Sequence, residues 1–340
     1  MSLPLKSRWE DRNVLVTGAT GLLGSMLVER LLEAGAEVTA LVRDWVPESP
    51  ALNPPTSNRL RIVRGELEDY HLILRSLTEH EIDSVFHLGA QTIVQMGARS
   101  ALPTFDTNIR GTWNVLEACR FCADRVNRVL IASSHRAYGP QSDYLSIDEQ
   151  VPLGGIEAYD ASKVCAEALA ISYFHREGLP LVITRTGNLY GPGDMNFSRL
   201  IPRTIRRLLS DQAPVISPGA TMIRDLLYVE DAAEACLRLA EALPGAAVSG
   251  EAFNVGGRAS VTVRQIVRLL LELTGRPELA PPGLGDEPCE PPLQRLDCSK
   301  IEAAIGWTPC VTLREGLDRT IRWYAEWLSA RSRDAATRLE

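Results

Sequence analysis

Two hydrophobic rhythms alternate along the first half of the chain. Asn13 to Thr17 (NVLVT) is a short apolar run cut by Gly18, which predicts a buried strand. From Leu22 to Ala34 the apolar positions Leu23, Leu27, Leu31 and Leu32 recur at helical spacing, and Gly35 stops that helix. Val38–Val42, Leu60–Val63, Ser84–Leu88 and Arg128–Ala132 predict further strands, separated by helical patterns at Tyr70–Glu79 and Thr112–Phe121. A helix over Ala158–His175 and a strand at Leu181–Thr184 continue the series. Strand and helix in strict alternation predict a parallel, doubly wound α/β sheet with helices on both faces. Beyond residue 190 the rhythm breaks at Pro192, Pro202, Pro214 and Pro218, and prolines crowd 277–292. Residues 1–190, with returning segments from 220–260, are expected to form the sheet domain, and 191–340 mainly a smaller substrate-binding lobe.

Composition narrows this picture. The chain has 340 residues, of which 45% are hydrophobic and 23% charged. That excludes a disordered or collagen-like chain, and the size supports a core without metal or disulfide staples. Lys plus Arg total 36 against 43 acidic residues, a net charge of −7, which argues against nucleic acid or an anionic membrane as partner. Seven scattered cysteines read as reduced thiols, and Cys119 and Cys122 read as helix packing. No apolar run suits a signal peptide or a membrane span, so the expected location is the cytoplasm.

The first chemical signal is Gly18-Ala-Thr20-Gly21-Leu22-Leu23-Gly24, between the first strand and the first helix. Gly18 permits a tight turn, Gly21 lets the backbone approach a pyrophosphate, and Gly24 lets helix and strand pack closely. The helix N-terminus then offers N–H groups to an anion. In this context the loop points to a Rossmann-type dinucleotide site. An acidic residue at the end of the second strand would bind ribose hydroxyls, but the usual position holds Val42, followed by Arg43 and Asp44. Arg43 suits a 2′-phosphate, which favours NADP, with NAD kept open. Glu66 and Leu67, after the third strand, are placed to border the adenine.

The second signal is Tyr159-Asp-Ala-Ser-Lys163, whose ends share a helix face at i and i+4. A lysine ammonium beside a phenol favours the phenolate, a base for a sugar hydroxyl. Ser134, at the carboxyl end of a strand, stands where ligands of such sheets bind.

Together these residues resemble the extended short-chain dehydrogenase/reductase family, specifically its nucleotide-sugar epimerases and dehydratases. The resemblance runs through His87-Leu88-Gly89-Ala90-Gln91, Asn108-Ile-Arg-Gly-Thr112, Tyr138-Gly139, Arg185-Thr-Gly-Asn188, Arg224 to Val229 and Gly306-Trp-Thr-Pro309. It implies that Ser134, Tyr159 and Lys163 are catalytic. It also implies that Thr20 to Gly24, Leu88 to Gln91, Asn108, Tyr159 and Lys163 border the cofactor. Asn188, Arg224 and, as a second arginine, Arg295 would hold the nucleotide diphosphate, for which guanidinium forks are suited, and Arg199 would contact the nucleotide. The helices Thr112–Phe121 and Ala158–His175 resemble a pair that forms a homodimer interface.

Such enzymes oxidise the sugar at C4. A 4-epimerase then turns the 4-keto sugar over, whereas a 4,6-dehydratase also expels the C6 hydroxyl and needs an acid and a base near C5 and C6. The local wording is most similar to CDP-glucose 4,6-dehydratases, with a cofactor loop similar to GDP-mannose 4,6-dehydratases. Dehydratases usually carry Asp followed by Glu or Lys after the Ser/Thr, and this chain has His135 and Arg136. His135 can take the aspartate's place as acid or base. The expectation is a 4,6-dehydratase with a recycled nicotinamide cofactor, the alternative a 4-epimerase.

Overall fold

The computed structural model describes residues 6–46, 48–52, 58–93, 99–140, 146–216, 223–257, 260–282, 284 and 295–337. Strands β1 (Asn13–Thr17), β2 (Glu37–Val42), β3 (Leu60–Arg64), β4 (Ser84–His87) and β5 (Arg128–Ser134) come first. β6 (Ser146–Ile147), β7 (Leu181–Thr186), β8 (Asn188–Tyr190), β9 (Ile223–Tyr228), β10 (Ala252–Val255), β11 (Ser260–Thr262) and β12 (Arg295–Leu296) come after them. Seven of them form one parallel sheet in the order β3-β2-β1-β4-β5-β7-β10. The order reverses at β1 and β4, and in sheets of this kind the crevice for ligands opens there, beyond the carboxyl ends of the strands.

Both faces of the sheet are covered, which is why its strands are apolar almost throughout. Val14 and Val16 of β1 point to one side, where they pack with Leu27 and Leu31 of α1 (Leu22–Glu33), Phe86 and Phe253. Leu15, between them, points to the other side, toward Ile73 of α2 (Tyr70–Glu79) and Val115 of α3 (Gly111–Phe121). This is the two-residue period of a strand realised in one five-residue run. Helix α4 (Ala158–Glu177) closes that second face and ends at Gly178, whose φ of 67° is the left-handed conformation of a helix stop. The segment Leu102–Phe105 reaches α3 through a π-helical turn, Asp106–Arg110.

A separate core lies later in the chain. Helices α5 (Leu200–Leu209), α7 (Val263–Leu273) and α8 (Leu313–Thr337) bring together Ile205, Leu208, Ile266, Leu270, Leu317 and Tyr324. Beside them stands a three-stranded sheet, β11-β9-β8. Helix α6 (Val229–Ala242) packs instead on the large sheet, so this part of the chain returns to it. Asp225 of β9, buried, accepts from the backbone N–H groups of Gly257 (2.7 Å) and Leu296 (3.0 Å), which ties the small sheet to both neighbouring segments.

Candidate active site

At the carboxyl ends of the strands lies a cavity of about 740 Å³. The loop between β1 and α1 forms one wall. Gly18 has a φ of 69°, and a Cβ there would stand 2.7 Å from the Gly89 backbone nitrogen. A Cβ on Gly24 would stand 2.0 Å from the Gly18 carbonyl oxygen. Gly21 is the N-cap of α1 and contributes no side chain, so the first turn faces the cavity through Leu22 and Leu23 with its backbone bare. These features fit a dinucleotide pyrophosphate: anion-seeking N–H groups with nothing larger than glycine in front of them.

The residues expected to border a cofactor divide in two. Gly18, Thr20 to Gly24, Arg43, Leu67, Leu88, Gly89 and Ala90 line the cavity. Glu66, Gln91 and Asn108 are not in that lining. Glu66 is exposed, and Glu68 lies in the wall instead, accepting from the Thr107 hydroxyl at 2.6 Å. The chain beyond β3 has turned through Gly65 toward the Asp69 cap of α2, so the alternation of the strand no longer decides which side chain faces inward. Val42 is buried, which leaves Arg43 and Asp44 at the lip. The Arg43 guanidinium donates to Asp44 through Nε at 2.7 Å, and both side chains are more than half exposed.

Gln91 and Asn108 stand one layer behind. Asn108 Oδ1 accepts from the Gln91 N–H (2.7 Å), while Nδ2 donates to the Ser162 hydroxyl (2.8 Å) and the Gln91 carbonyl (3.2 Å). It therefore fastens the loop after β4 to the turn of α4 between Tyr159 and Lys163. His87 extends this framework. Thr112 Oγ1 donates to the Asn108 carbonyl, so it accepts from His87 Nε2 at 3.0 Å. Nδ1 then accepts from the Thr17 hydroxyl at 2.8 Å, and burial holds the ring neutral with its pKa pushed down to about 3. The sequence motif around His87 marked this segment, but nothing in the sequence showed that the imidazole joins β1 to α3.

Ser134, Tyr159 and Lys163 meet in the same cavity. Ser134 ends β5 two residues beyond the expected strand, because Ser133 and Ser134 still pair with Arg185 and Thr186 of β7. Its hydroxyl bonds to Tyr159. Lys163 is buried, donates to the Ala132 carbonyl at 2.7 Å, and sits 5.8 Å from the Tyr159 ring centroid. Burial lowers its pKa to about 8, against the pull of Glu167 one turn along. One expectation changes here. Burial pushes the Tyr159 phenol above its ordinary value, and the groups that draw it back are Ser134, Arg199 and Arg136, not Lys163.

Below the site Glu167 forms a buried ion pair with Arg185 (2.8 Å) and accepts from Ser133. Arg185 also donates to the Tyr138 hydroxyl (3.0 Å), which donates to Asn254 Oδ1 (2.7 Å).

The other half of the cavity carries the residues expected for substrate. Asn188, Arg199 and Arg224 line it, and Arg295 does not: it lies exposed on β12, paired with β6. Arg199 is held by Asp194 at 3.1 Å, a buried carboxylate whose other oxygen accepts from the Asn196 N–H. His135 lines the cavity next to Ser134, and its Nδ1 donates to the Thr186 carbonyl at 3.0 Å. Burial, then Arg136 and Arg224, hold its pKa below the ordinary histidine value. Arg136 grips Asp160 with both nitrogens of its fork, at 2.6 and 3.0 Å. The partners of Asp160 and Glu68 escaped the sequence reading because each lies on a different element, and that of Asp194, only five residues on, because a loop has no period to show which side chains meet. Among the described residues no cluster suits a metal ion, and no helix is long and apolar enough to cross a membrane.

The family described as "NAD dependent epimerase/dehydratase family" matches residues 14–256. A CDP-glucose 4,6-dehydratase of Salmonella typhimurium is 30% identical over 345 aligned positions, spanning 95% of this chain and 93% of that protein. Among solved structures, a dTDP-glucose 4,6-dehydratase of Streptomyces venezuelae with NAD bound superposes with a TM-score of 0.80 at 30% identity, covering 92% and 97% of the two chains. An epimerase of Methanothermobacter thermautotrophicus superposes at 0.84 with 26% identity, covering 96% and 97%.

Proposed function

We propose, since the chain belongs to the NAD dependent epimerase/dehydratase family, that it is a nucleotide-sugar 4,6-dehydratase acting on a nucleotide-diphosphate hexose. The observation that carries the dehydratase reading is His135. A 4-epimerase needs the Ser134–Tyr159 pair and no more, but this site adds an imidazole to the cavity wall, its Nδ1 engaged by the Thr186 carbonyl. A nicotinamide dinucleotide held by the Gly18–Gly24 loop would supply hydride exchange with the sugar at C4 and C6. Tyr159 takes the C4 hydroxyl proton, Ser134 holds the same oxygen, and the Arg199 and Arg136 charges favour the anionic phenol oxygen. Arg199 and Arg224 meet the diphosphate, and Asn188 stands beside them.

The epimerase reading has one observation in its favour. Arg136, locked on Asp160, stands where dehydratases usually place a group able to exchange protons. Incubation with a panel of nucleotide hexoses, followed by mass spectrometry and NMR, decides between them. A product lighter by one water with a new C6 methyl is expected. A product of unchanged mass with inverted C4 couplings would sink the dehydratase and establish the epimerase.

For the cofactor we favour NADP. An exposed pair such as Arg43–Asp44 is worth about 0–1 kcal/mol, and a charge-assisted fork onto a 2′-phosphate is roughly twice as strong as a neutral hydrogen bond. A phosphate therefore displaces Asp44 from Arg43. Arg43→Ala is expected to weaken NADP binding about tenfold while sparing NAD, the loss of one such contact at about 1.4 kcal/mol. Equal loss for both dinucleotides would refute the role. The free thiols of Cys119, Cys122 and Cys236, all buried, support a reducing, cytoplasmic setting. Leu102 and Phe105, exposed on the segment leading into α3, and Trp113, exposed on α3 itself, support a homodimer, to be checked by sedimentation.

A further inference from the structure

Resting on the dehydratase reading, we infer that His135 alone carries the proton of the elimination: Nε2 removes it from C5 and gives it to the departing C6 hydroxyl. The geometry assigns the tautomer. A carbonyl only accepts, so the bond to Thr186 requires the proton on Nδ1 and leaves the lone pair of the neutral ring on Nε2. The other titratable side chains of the cavity are committed or turned away, Tyr190 among them: its hydroxyl packs toward Gly316 and burial raises its pKa. Tyr159 and Lys163 serve the C4 oxygen. Arg136 cannot give up a proton, and its fork occupies both oxygens of Asp160. Both oxygens of Asp194 are taken by Arg199 and Asn196. Asp44 and Glu68 belong to the wall beyond β2 and β3.

The step balances on one residue. The C5–H bond breaks, Nε2–H forms, and the electron pair becomes the enolate of the 4-keto sugar, its oxygen held by Ser134 and Tyr159. The enolate pair then forms the C5=C6 bond as C6–O breaks. Nε2 returns the proton to the leaving oxygen, water departs, and the ring is neutral again. Arg136 on the same turn and Arg224 from β9 disfavour the imidazolium, with Asp160 of α4 opposing them. The cation is thus a stronger acid than an ordinary imidazolium, which favours protonation of the departing hydroxyl.

The test uses the whole enzyme with His135→Ala and, to retain a donor toward Thr186, His135→Asn. Nitrogen NMR of histidine-labelled protein should show one ring, absent from both variants, protonated at Nδ1 and neutral at pH 7. In both variants C4 oxidation should persist, so that the 4-keto hexose accumulates and can be trapped by borohydride, while water loss falls about 10²–10⁴-fold. In the wild type, water loss from the 4-keto sugar should fall toward acid, below the lowered histidine pKa, and toward alkali only where Lys163, with its pKa of about 8, loses its charge. An alkaline limb from a second proton donor would overturn the proposal, as would wild-type elimination in a variant that still oxidises C4. An epimerised product of unchanged mass from the wild type would instead overturn the dehydratase reading, so the two failures are distinguishable.

Discussion

Tyr159→Phe is expected to lower turnover by about 10²–10⁴-fold, the range for a removed general base, while cofactor binding and thermal stability stay near wild type. The ring keeps its place on α4, and only the hydroxyl that meets Ser134 disappears. Ser134 keeps its backbone donor, Arg136 N–H at 3.2 Å, so no buried group is orphaned. Loss of the phenol acts before the paths to dehydration and epimerisation divide, so the variant should form neither product and no 4-keto sugar. Stopped-flow measurement of C4 oxidation gives the answer, and unchanged turnover would sink the shared chemistry of Ser134, Tyr159 and Lys163.

The second large effect is on stability. Glu167→Ala is expected to cost about 3–5 kcal/mol, because it leaves the Arg185 guanidinium buried and without its carboxylate. The Arg185 and Glu167 side chains are 9% and 4% exposed, so water cannot take over. In a protein of this size that corresponds to a fall in Tm on the order of 10 °C. Glu167→Leu combined with Arg185→Met should recover most of the loss, since the expensive element is the stranded charge. Calorimetry of the single and double variants separates this from a packing defect, which the double variant would deepen. A Glu167→Ala melt within about 1 °C of wild type would show that the pair holds nothing together.

How much could be read from sequence depended on how local each signal was. β1 and α2 were legible to the residue, because NVLVT and the Tyr70–Glu79 spacing carry their periods within a few positions and end at Gly18 and His80. Tyr159 and Lys163 were legible as a pair because one helix sets their distance. β5 was read short: Ser133 and Ser134 are polar, and only pairing with β7, fifty residues later, makes them strand. β9 and β11, of 6 and 3 residues, escaped because they carry too few alternations to show a period, whereas the 25-residue α8 went unread although Leu317, Ile321 and Tyr324 recur at helical spacing. Glu66 was placed by its position just after β3, where the chain turns through Gly65, and Arg295 was placed by the family resemblance, which did not show that it lies exposed on β12. The pairings Arg136–Asp160 and Glu68–Thr107 depend on the assembled fold, whereas Arg199–Asp194 is closed within one loop.

The π-helical turn Asp106–Arg110 has a consequence for how this site can change. A π turn holds one residue more than the α-helix needs, and each added residue of a helix turns the rest of it by about 100°. Deleting one residue here would restore regular winding and swing Asn108 away from Gln91 and Ser162, or else drag Val115 and Leu116 off the sheet. The surplus residue uncouples the two stretches. The exposed Leu102 and Phe105 and the buried Val115 and Leu116 each keep their own phase, so drift in the outer surface need not be transmitted to the side chain that clamps the catalytic helix.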